Sequence, residues 1–264
     1  MNIAVCVKQV PVSNNASVDP VTHSLVRESV EGMLNPADAN ALEEAVALKE
    51  KLGGKVTAFT MGPPAAEKAL RAALAMGADD AVLVTDRAFA GADTVATARV
   101  LAESLRSYGT FDLVFTSSES FDGATGQVGP MLAEYLACPH LTEVQRVEEA
   151  DRESLIALKK FKGGLARARV SLPALLTVSY GANDPRLPTL MSQMAANKKS
   201  VASRANEHLG LPPGEVGLAG SPTEVIGIFA PEKKKRAEFL SGTPDEIAEK
   251  ILSLIEKKRG TKNE

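Results

Sequence analysis

Between Phe111 and Leu136 the chain sets uncharged hydrogen-bonding side chains, Ser117, Ser118, Ser120, Thr125 and Gln127, among Gly123, Gly126 and Gly129. Glycine lets backbone approach a ligand closely, and hydroxyl and amide groups bind it without adding charge. The run Leu113-Val-Phe115 precedes this stretch, while Val128, Met131, Leu132, Tyr135 and Leu136 follow at helical spacing, so the segment reads as strand, loop, helix. Unpaired N–H groups at such a helix start face outward, and the macrodipole adds positive potential, which attracts phosphate. There is no Walker lysine and no clean GxGxxG. From this stretch alone, an ordinary βα loop whose polar residues cap a helix stays open as the plain alternative.

The whole composition narrows the classes. With 264 residues, 44% of them hydrophobic, the chain can bury one substantial core, with room for an appendage. A net charge of −3 and 4% aromatics without tryptophan argue against nucleic acid, which needs a basic field or stacking platforms. Cys6 and Cys138 form neither a disulfide framework nor a metal motif, and His23, His140 and His208 lack ligand spacing. No apolar run approaches the length of a membrane span, and Met1-Asn-Ile-Ala-Val5 enters a strand at once rather than a signal peptide. A cytoplasmic protein is the expectation.

The elements that must position the loop follow in order. Ile3 to Val7 is a continuous apolar run, as in a strand covered on both faces of a parallel sheet. Lys8 to Val12 leaves the sheet, and Val18 to Arg27 reads as a small hairpin or surface excursion. Ala41, Leu42, Ala45, Val46 and Leu48 predict a helix ending at Gly53-Gly54, with Asn35 or Asp38 as its cap and Pro36 suited to its first turn. Val56 to Met61 and Ala81 to Val84 read as strands, separated by a helix from about Ala65 to Met76. Asp86 to Thr94 is another small-residue loop, followed by a helix from Val95 to Leu105. This alternation predicts an α/β fold, a doubly wound, mostly parallel Rossmann-like sheet whose ligands sit beyond the carboxyl ends of the strands.

The pattern changes after Pro139. Leu155 to Leu172 reads as two strands joined at Gly163-Gly164, and Ala174 to Val178 as a further buried strand. Asn183 to Lys199 has no long apolar period and contains two prolines, so an exposed arm carrying Leu190, Met191 and Met194 is expected; exposed Leu and Met invite a partner. Lys233 to Arg236 reads as a solvated basic patch. Thr243-Pro-Asp-Glu246 carries a capping signal ahead of a C-terminal amphipathic helix bearing Ile247, Ile251, Leu252, Leu254 and Ile255.

Taken together, Asn35-Pro36, Met61-Gly62-Pro63, Ala73 to Ala78, Asp122-Gly123 with Gln127-Val-Gly129, and Asn183-x-Pro185-Arg186 resemble the small, or beta, subunit of electron transfer flavoproteins. The ordered set carries the resemblance, from the first strand to about the final helix. Lys160 to Thr177 also looks like the family's hairpin, though Lys162 stands where an acidic residue is usual. The resemblance implies an adenine nucleotide meeting Cys6, Asn35, Pro36, Ala37, Asp38 and Met61, together with the loop Ser117, Ser118, Glu119, Asp122, Gly123, Ala124, Thr125, Gly126, Gln127 and Val128. Asp122 suits a loop brace or ribose contact better than a phosphate neighbour. An isoalloxazine ring would face Ala90, Gly91, Ala92, Asp93 and Thr94. Residues 1–222 are then the nucleotide- and flavin-binding α/β domain, with a recognition arm at about 183–199. Residues 223–264 are the linker and a C-terminal arm packing on the large, or alpha, subunit.

Two subtypes are separable. One holds AMP as a structural ligand in this subunit and has its only flavin mainly in the large subunit. The electron-bifurcating kind places a second FAD in that pocket and reduces it with NADH. Arg87-Ala-Phe-Ala-Gly-Ala-Asp-Thr94 and Asp122 to Pro130 are similar to the bifurcating pattern, since small residues leave room for a ring. Ser117-Ser118 departs from it, because Gly-Arg is more usual there and a hydroxyl lacks the guanidinium's charge. The bifurcating reading expects hydride acceptance from NADH and transfer to the large-subunit FAD, to a flavin dehydrogenase such as an acyl-CoA dehydrogenase, and to ferredoxin or flavodoxin. No side chain need act as acid or base, because the cofactor carries the chemistry. Leu190 stands where the family's arm inserts a Leu into the dehydrogenase; Leu190 and Met194 folded back on the domain is the bland alternative. A stand-alone nucleotide sensor or adenylating enzyme on a related scaffold would need a Ser/Gly-rich loop after the first strand, which Lys8-Gln-Val-Pro11 does not supply.

Overall fold

The apolar runs become the central strands of one sheet. The computed structural model describes residues 1–12, 31–227 and 239–260, and separates into two units, Met1–Ile226 and Gly227–Glu264. In chain order the first unit contains β1 (Asn2–Cys6), β2 (Gln9–Pro11), β3 (Gly32–Leu34), α1 (Pro36–Leu52), β4 (Lys55–Met61), α2 (Glu67–Ala75) and β5 (Asp80–Val84). There follow α3 (Thr94–Tyr108), β6 (Leu113–Ser117), α4 (Val128–Leu136), β7 (His140–Ala150), β8 (Ser154–Phe161) and β9 (Gly164–Ser171). β10 (Ala174–Val178), α5 (Leu190–Lys198), β11 (Ala202–Arg204) and α6 (Asn206–Leu209) complete it. The expected excursion from Val18 to Arg27 and the Lys233 to Arg236 patch lie outside the described residues.

Nine strands form the sheet, in the order β11-β5-β4-β1-β6-β10-β7-β8-β9. Every pairing from β11 to β7 is parallel and the last two are antiparallel, with β8 and β9 forming the expected hairpin. The α/β class and mostly parallel sheet are therefore as the sequence pattern requires. Alternate side chains of β1 explain the continuous apolar run: Ile3 and Val5 pack with α1 and α2, while Ala4 and Cys6 pack with α3 and α4 on the other face.

Three elements differ from the expectation. β7 was not legible, because its pairing with β8 is interrupted by two register shifts and Glu143 adopts φ 56°, which breaks the alternation of apolar residues. β11 is only three residues long and joins the edge of the sheet beside β5. The arm is not irregular throughout; α5 forms, with the Thr189 hydroxyl oxygen accepting the Ser192 N–H at 3.1 Å. The signal was weak because only Ala196 of that helix is buried.

The second unit contains α7 (Pro244–Gly260). Its cap is reciprocal as expected: Glu246 N–H donates to Thr243 Oγ1 at 3.4 Å, and Thr243 N–H donates to Glu246 Oε2 at 2.9 Å. Among the described residues no helix is long and apolar enough to cross a membrane.

Candidate functional site

The chain leaves β1 through α1 toward β4 on one side, and β6 pairs with β1 on the other, so the strand order reverses between β1 and β6. Ligands of doubly wound sheets bind in the crevice that such a reversal opens. The carboxyl ends of these two strands carry Cys6 and Ser117, and the loop after β6 is the one singled out from its residue types.

Asn35 joins the two sides. It stands at the cap position of α1, but neither it nor Asp38 caps the helix by side chain. Its fully buried side chain instead donates to the Glu119 carbonyl at 3.2 Å and to Ser117 Oγ at 3.4 Å, and accepts the Phe121 N–H at 3.3 Å. A buried amide must find such partners, and here they bend the strand end into the loop. Asp38, also buried, accepts the Lys8 N–H at 2.6 Å. Burial raises its carboxyl to about 6, against opposing hydrogen bonds from Ser117, the Lys8 N–H and Asn35. Burial, with the charge of Asp38 beside it, pushes the Cys6 thiol up to about 12, so Cys6 is a neutral floor residue and no nucleophile.

Above this floor the loop is open. Asp122 to Gln127 are exposed, with Ala124 at φ 46° and Gly126 at φ 63°. The Ala124 N–H bonds the Ser120 carbonyl at 2.8 Å, but the N–H groups of Gly123, Thr125, Gly126, Gln127 and Val128 have no acceptor among the described residues. A run of free amides at a helix start is a cradle for a phosphate oxygen, and an adenine nucleotide's phosphate fits this donor set. Asp122 is a brace: its carboxylate pairs with Lys8 Nζ at 2.7 Å.

α4 can begin so close to the sheet because of Gly129, where a Cβ would lie 2.5 Å from Thr177 Cγ2 and 2.7 Å from Thr116 Oγ1. Gly129→Ala is expected to push α4 off β6 and β10, lowering stability by about 1–2 kcal/mol and displacing the amides that open the helix. Chemical unfolding beside nucleotide retention checks this; a variant equal to the parent in both would count against it.

The second small-residue loop meets the first at one bond, Thr94 Oγ1 to Gln127 Oε1 at 2.9 Å. Asp93 caps α3 through the N–H groups of Val95 and Ala96, and its other oxygen accepts from the N–H and hydroxyl of Thr223 at 3.1 and 2.8 Å. Ala90 accepts the Leu218 N–H at 3.0 Å, and a Cβ on Gly91 would lie 3.1 Å from that of Leu218. Segment 217–223 thus covers part of the loop from Ala90 to Thr94, a neighbour that sequence spacing did not reveal.

The structure gathers Asn35, Asp38, Ser117, Glu119 and Asp122 around the cradle through Lys8 and Asn35, and brings Thr94 to Gln127. Pro36 and Ala37 are the first turn of α1, Ser118 bonds Thr177, and Met61 ends β4 within the cluster that includes Cys6. Lys8 is the residue that sequence reasoning missed, since a lysine after a strand carries no motif. Leu190, Met191 and Met194 stand apart on α5, 74%, 82% and 54% exposed. α5 is tied to α2, where Arg71 Nη1 donates to the Ala196 and Lys199 carbonyls at 2.8 and 2.6 Å. The bland alternative, these side chains folded back on the domain, is not what the first unit adopts.

A family profile described as "Electron transfer flavoprotein domain" matches residues 22–209. The chain is 45% identical over 258 residues to the electron transfer flavoprotein subunit beta of Thermoanaerobacterium thermosaccharolyticum, covering 97% of both chains. It is 40% identical to the caffeyl-CoA reductase-Etf complex subunit CarD of Acetobacterium woodii, covering 98% of this chain and 99% of that one. It is also 41% identical to the protein FixA of Azotobacter vinelandii, covering 97% and 94%.

Proposed function

This chain belongs to the electron transfer flavoprotein family, as a beta subunit, and from that premise we propose that it holds FAD in the crevice between β1 and β6. The observation that carries the reading is the set of free amides of Gly123 and of Thr125 to Val128, leading into α4 at the reversal of strand order. Asn35, Asp38 and Ser117 form the base, and the loop from Ser120 to Val128 receives the phosphates. Thr94, held by Gln127, offers the ring's polar edge a hydroxyl, and Ala90 and Gly91 are exposed small residues of the same loop. Bound FAD would supply hydride acceptance from NADH and onward transfer of electrons. The chain's own residues bind and orient, and none is required as acid or base. Electrons pass to an FAD in the large, or alpha, subunit, to a flavin dehydrogenase such as an acyl-CoA dehydrogenase, and to ferredoxin or flavodoxin, in the cytoplasm. The Acetobacterium woodii relative is named as a subunit of a caffeyl-CoA reductase-Etf complex, which supports such an assembly. Residues 223–264 serve as linker and arm on the large subunit.

Two observations favour a second reading, in which AMP takes the same cradle as a structural ligand. The space that the missing side chain of Gly91 leaves is filled by Leu218, and Ser117-Ser118 brings no guanidinium. Counting ligands released from the chain co-expressed with its large partner decides between them. Two FAD per heterodimer, no AMP and rapid bleaching by NADH support the first; one FAD and one AMP support the second.

The arm docks the dehydrogenase in either case. Leu190, Met191 and Met194 are exposed apolar side chains in the first half of α5, and Leu187 ahead of them is also exposed. Leu190→Ala is expected to weaken docking by about 2 kcal/mol, roughly 30-fold, as for a central anchor, with flavin absorbance unchanged. Titration of the dehydrogenase by calorimetry measures this, and undiminished affinity would exclude the arm.

A further inference from the structure

Lys8 follows β1 and reaches across the crevice. Its backbone is fixed at both ends: the N–H donates to Asp38 Oδ2 at 2.6 Å, and the carbonyl accepts the Asn35 N–H at 2.9 Å. Its side chain extends to the loop after β6, where Nζ lies 2.7 Å from Asp122 Oδ1 and 3.4 Å from Ser120 Oγ. The same ammonium lies 4.0 Å from where a Cβ on Gly123 would stand, so it borders the cradle as well as the carboxylate. Among the described residues it is the one cationic side chain that hydrogen-bonds any side chain from Ser117 to Val128.

The charges at this point conflict unless Lys8 is present. Asp122 immediately precedes the free amides that suit a phosphate, and an uncompensated carboxylate there would repel the ligand. Burial works against the charge of Asp122, yet the hydrogen bond and charge of Lys8 hold its carboxyl below the ordinary range. The carboxylate therefore stays ionised beside an anion site. Ser117 and Ser118 cannot offset it.

Resting on the reading of the crevice as an adenine-nucleotide site, we infer that Lys8 is a positioning residue for the ligand's phosphate, holding the loop through Asp122 and cancelling the charge that would repel it. The Ser120 hydroxyl gives the ammonium a second anchor. The role does not require Lys8 to touch the ligand.

The test uses the full heterodimer stripped of bound nucleotide, titrated with AMP and separately with adenosine, which lacks the phosphate. Substitution at Lys8 spares the backbone bonds to Asp38 and Asn35, so the fold is retained. Lys8→Gln is expected to weaken AMP about tenfold and adenosine by less than about twofold, an electrostatic signature that fades as salt is raised. Lys8→Gln combined with Asp122→Asn removes both charges and should restore AMP to within about threefold of the parent, and Lys8→Arg should stay near the parent. Equal losses of AMP and adenosine would make Lys8 a packing residue only. That result, unchanged AMP affinity, or a double variant no better than Lys8→Gln would each overturn the inference while leaving the nucleotide site standing. A parent complex that binds neither AMP nor FAD at this site would overturn the reading and the inference together.

Discussion

Arg186→Ala should lower the stability of the chain by about 3 kcal/mol, because it breaks one cation's bonds to two carboxylates, one of them nearly buried. Arg186 lies at the base of the arm that carries α5. Its Nε and Nη2 donate to the two oxygens of Glu43, both at 2.9 Å, and its Nη1 and Nη2 reach the two oxygens of Glu50 at 2.6 and 3.0 Å. The Arg186 N–H also donates to Glu43 at 2.9 Å. The Glu43 side chain is only 15% exposed, so removal of the guanidinium leaves a desolvated charge rather than a surface carboxylate. Burial alone would raise the Glu43 carboxyl, yet its bonds to Arg186 hold it low; the bonds to Glu50, then those to Glu43, raise Arg186 far above its ordinary range. For groups held low in this way, stability is present above the unfolded carboxyl range and is lost as pH falls through the lower folded value. The variant should therefore lose most at neutral pH and approach the parent in acid. Lysine should not restore the loss, since it cannot fork onto two carboxylates. Denaturant unfolding at several pH values measures this, and a change under about 0.5 kcal/mol would place the arm's attachment elsewhere, on the Asn40–Asn183 pair.

Asp38→Asn should act in the opposite sense and stabilise the chain at neutral pH. Asp38 titrates near 6 in the folded chain because it is buried, and near its ordinary carboxyl value when unfolded. Between those values the folded state holds the extra proton, so stability falls as pH rises through the window and the destabilisation is complete above about 6. A carboxyl raised this far costs the folded chain at most about 3 kcal/mol at neutral pH. Asparagine keeps an oxygen to accept the Lys8 N–H and adds no charge. The gain of the variant over the parent should be largest at about pH 7–8 and vanish toward about pH 4. A difference independent of pH would mean that Asp38 is neutral throughout or that the hydrogen bond outweighs the charge. The parent's retention of a buried carboxylate at the base of the crevice between β1 and β6 is the kind of local conflict that functional sites keep at the expense of stability.

The sequence was most informative where local chemistry is self-sufficient. Short, mostly apolar runs identified β1, β4, β5, β6 and β10, because a strand covered on both faces carries few strongly polar residues. Gly53 ended α1, Thr243 with Glu246 opened α7, and Gly163-Gly164 turned the hairpin, each through a conformation or bond formed within a few residues. The loop from Ser117 to Val128 could be named from residue types alone, since free amides, glycines and hydroxyls are local properties. β7 and α5 were hidden for the opposite reason. Bulges disrupt the periodicity of one, and the other buries a single alanine, so neither leaves an apolar period to read.

What the sequence by itself determined was the alternation of strands and helices, the α/β class, the polar glycine loop and an arm with exposed Leu and Met. What only the tertiary structure decided was which distant residues meet there. Lys8 and Asp122 are 114 positions apart, Asp93 and Thr223 are 130, and Arg186 and Glu43 are 143. None of these pairs has a local signature, because a charge reads as a solvated surface residue until the sheet order brings its partner within about 3 Å. Asn35 is the clearest case: its type and position announce a helix cap, but burial between β1 and β6 turns its amide to Ser117, Glu119 and Phe121. Packing assigns such side chains their work, since a buried polar group bonds to whatever the fold sets beside it.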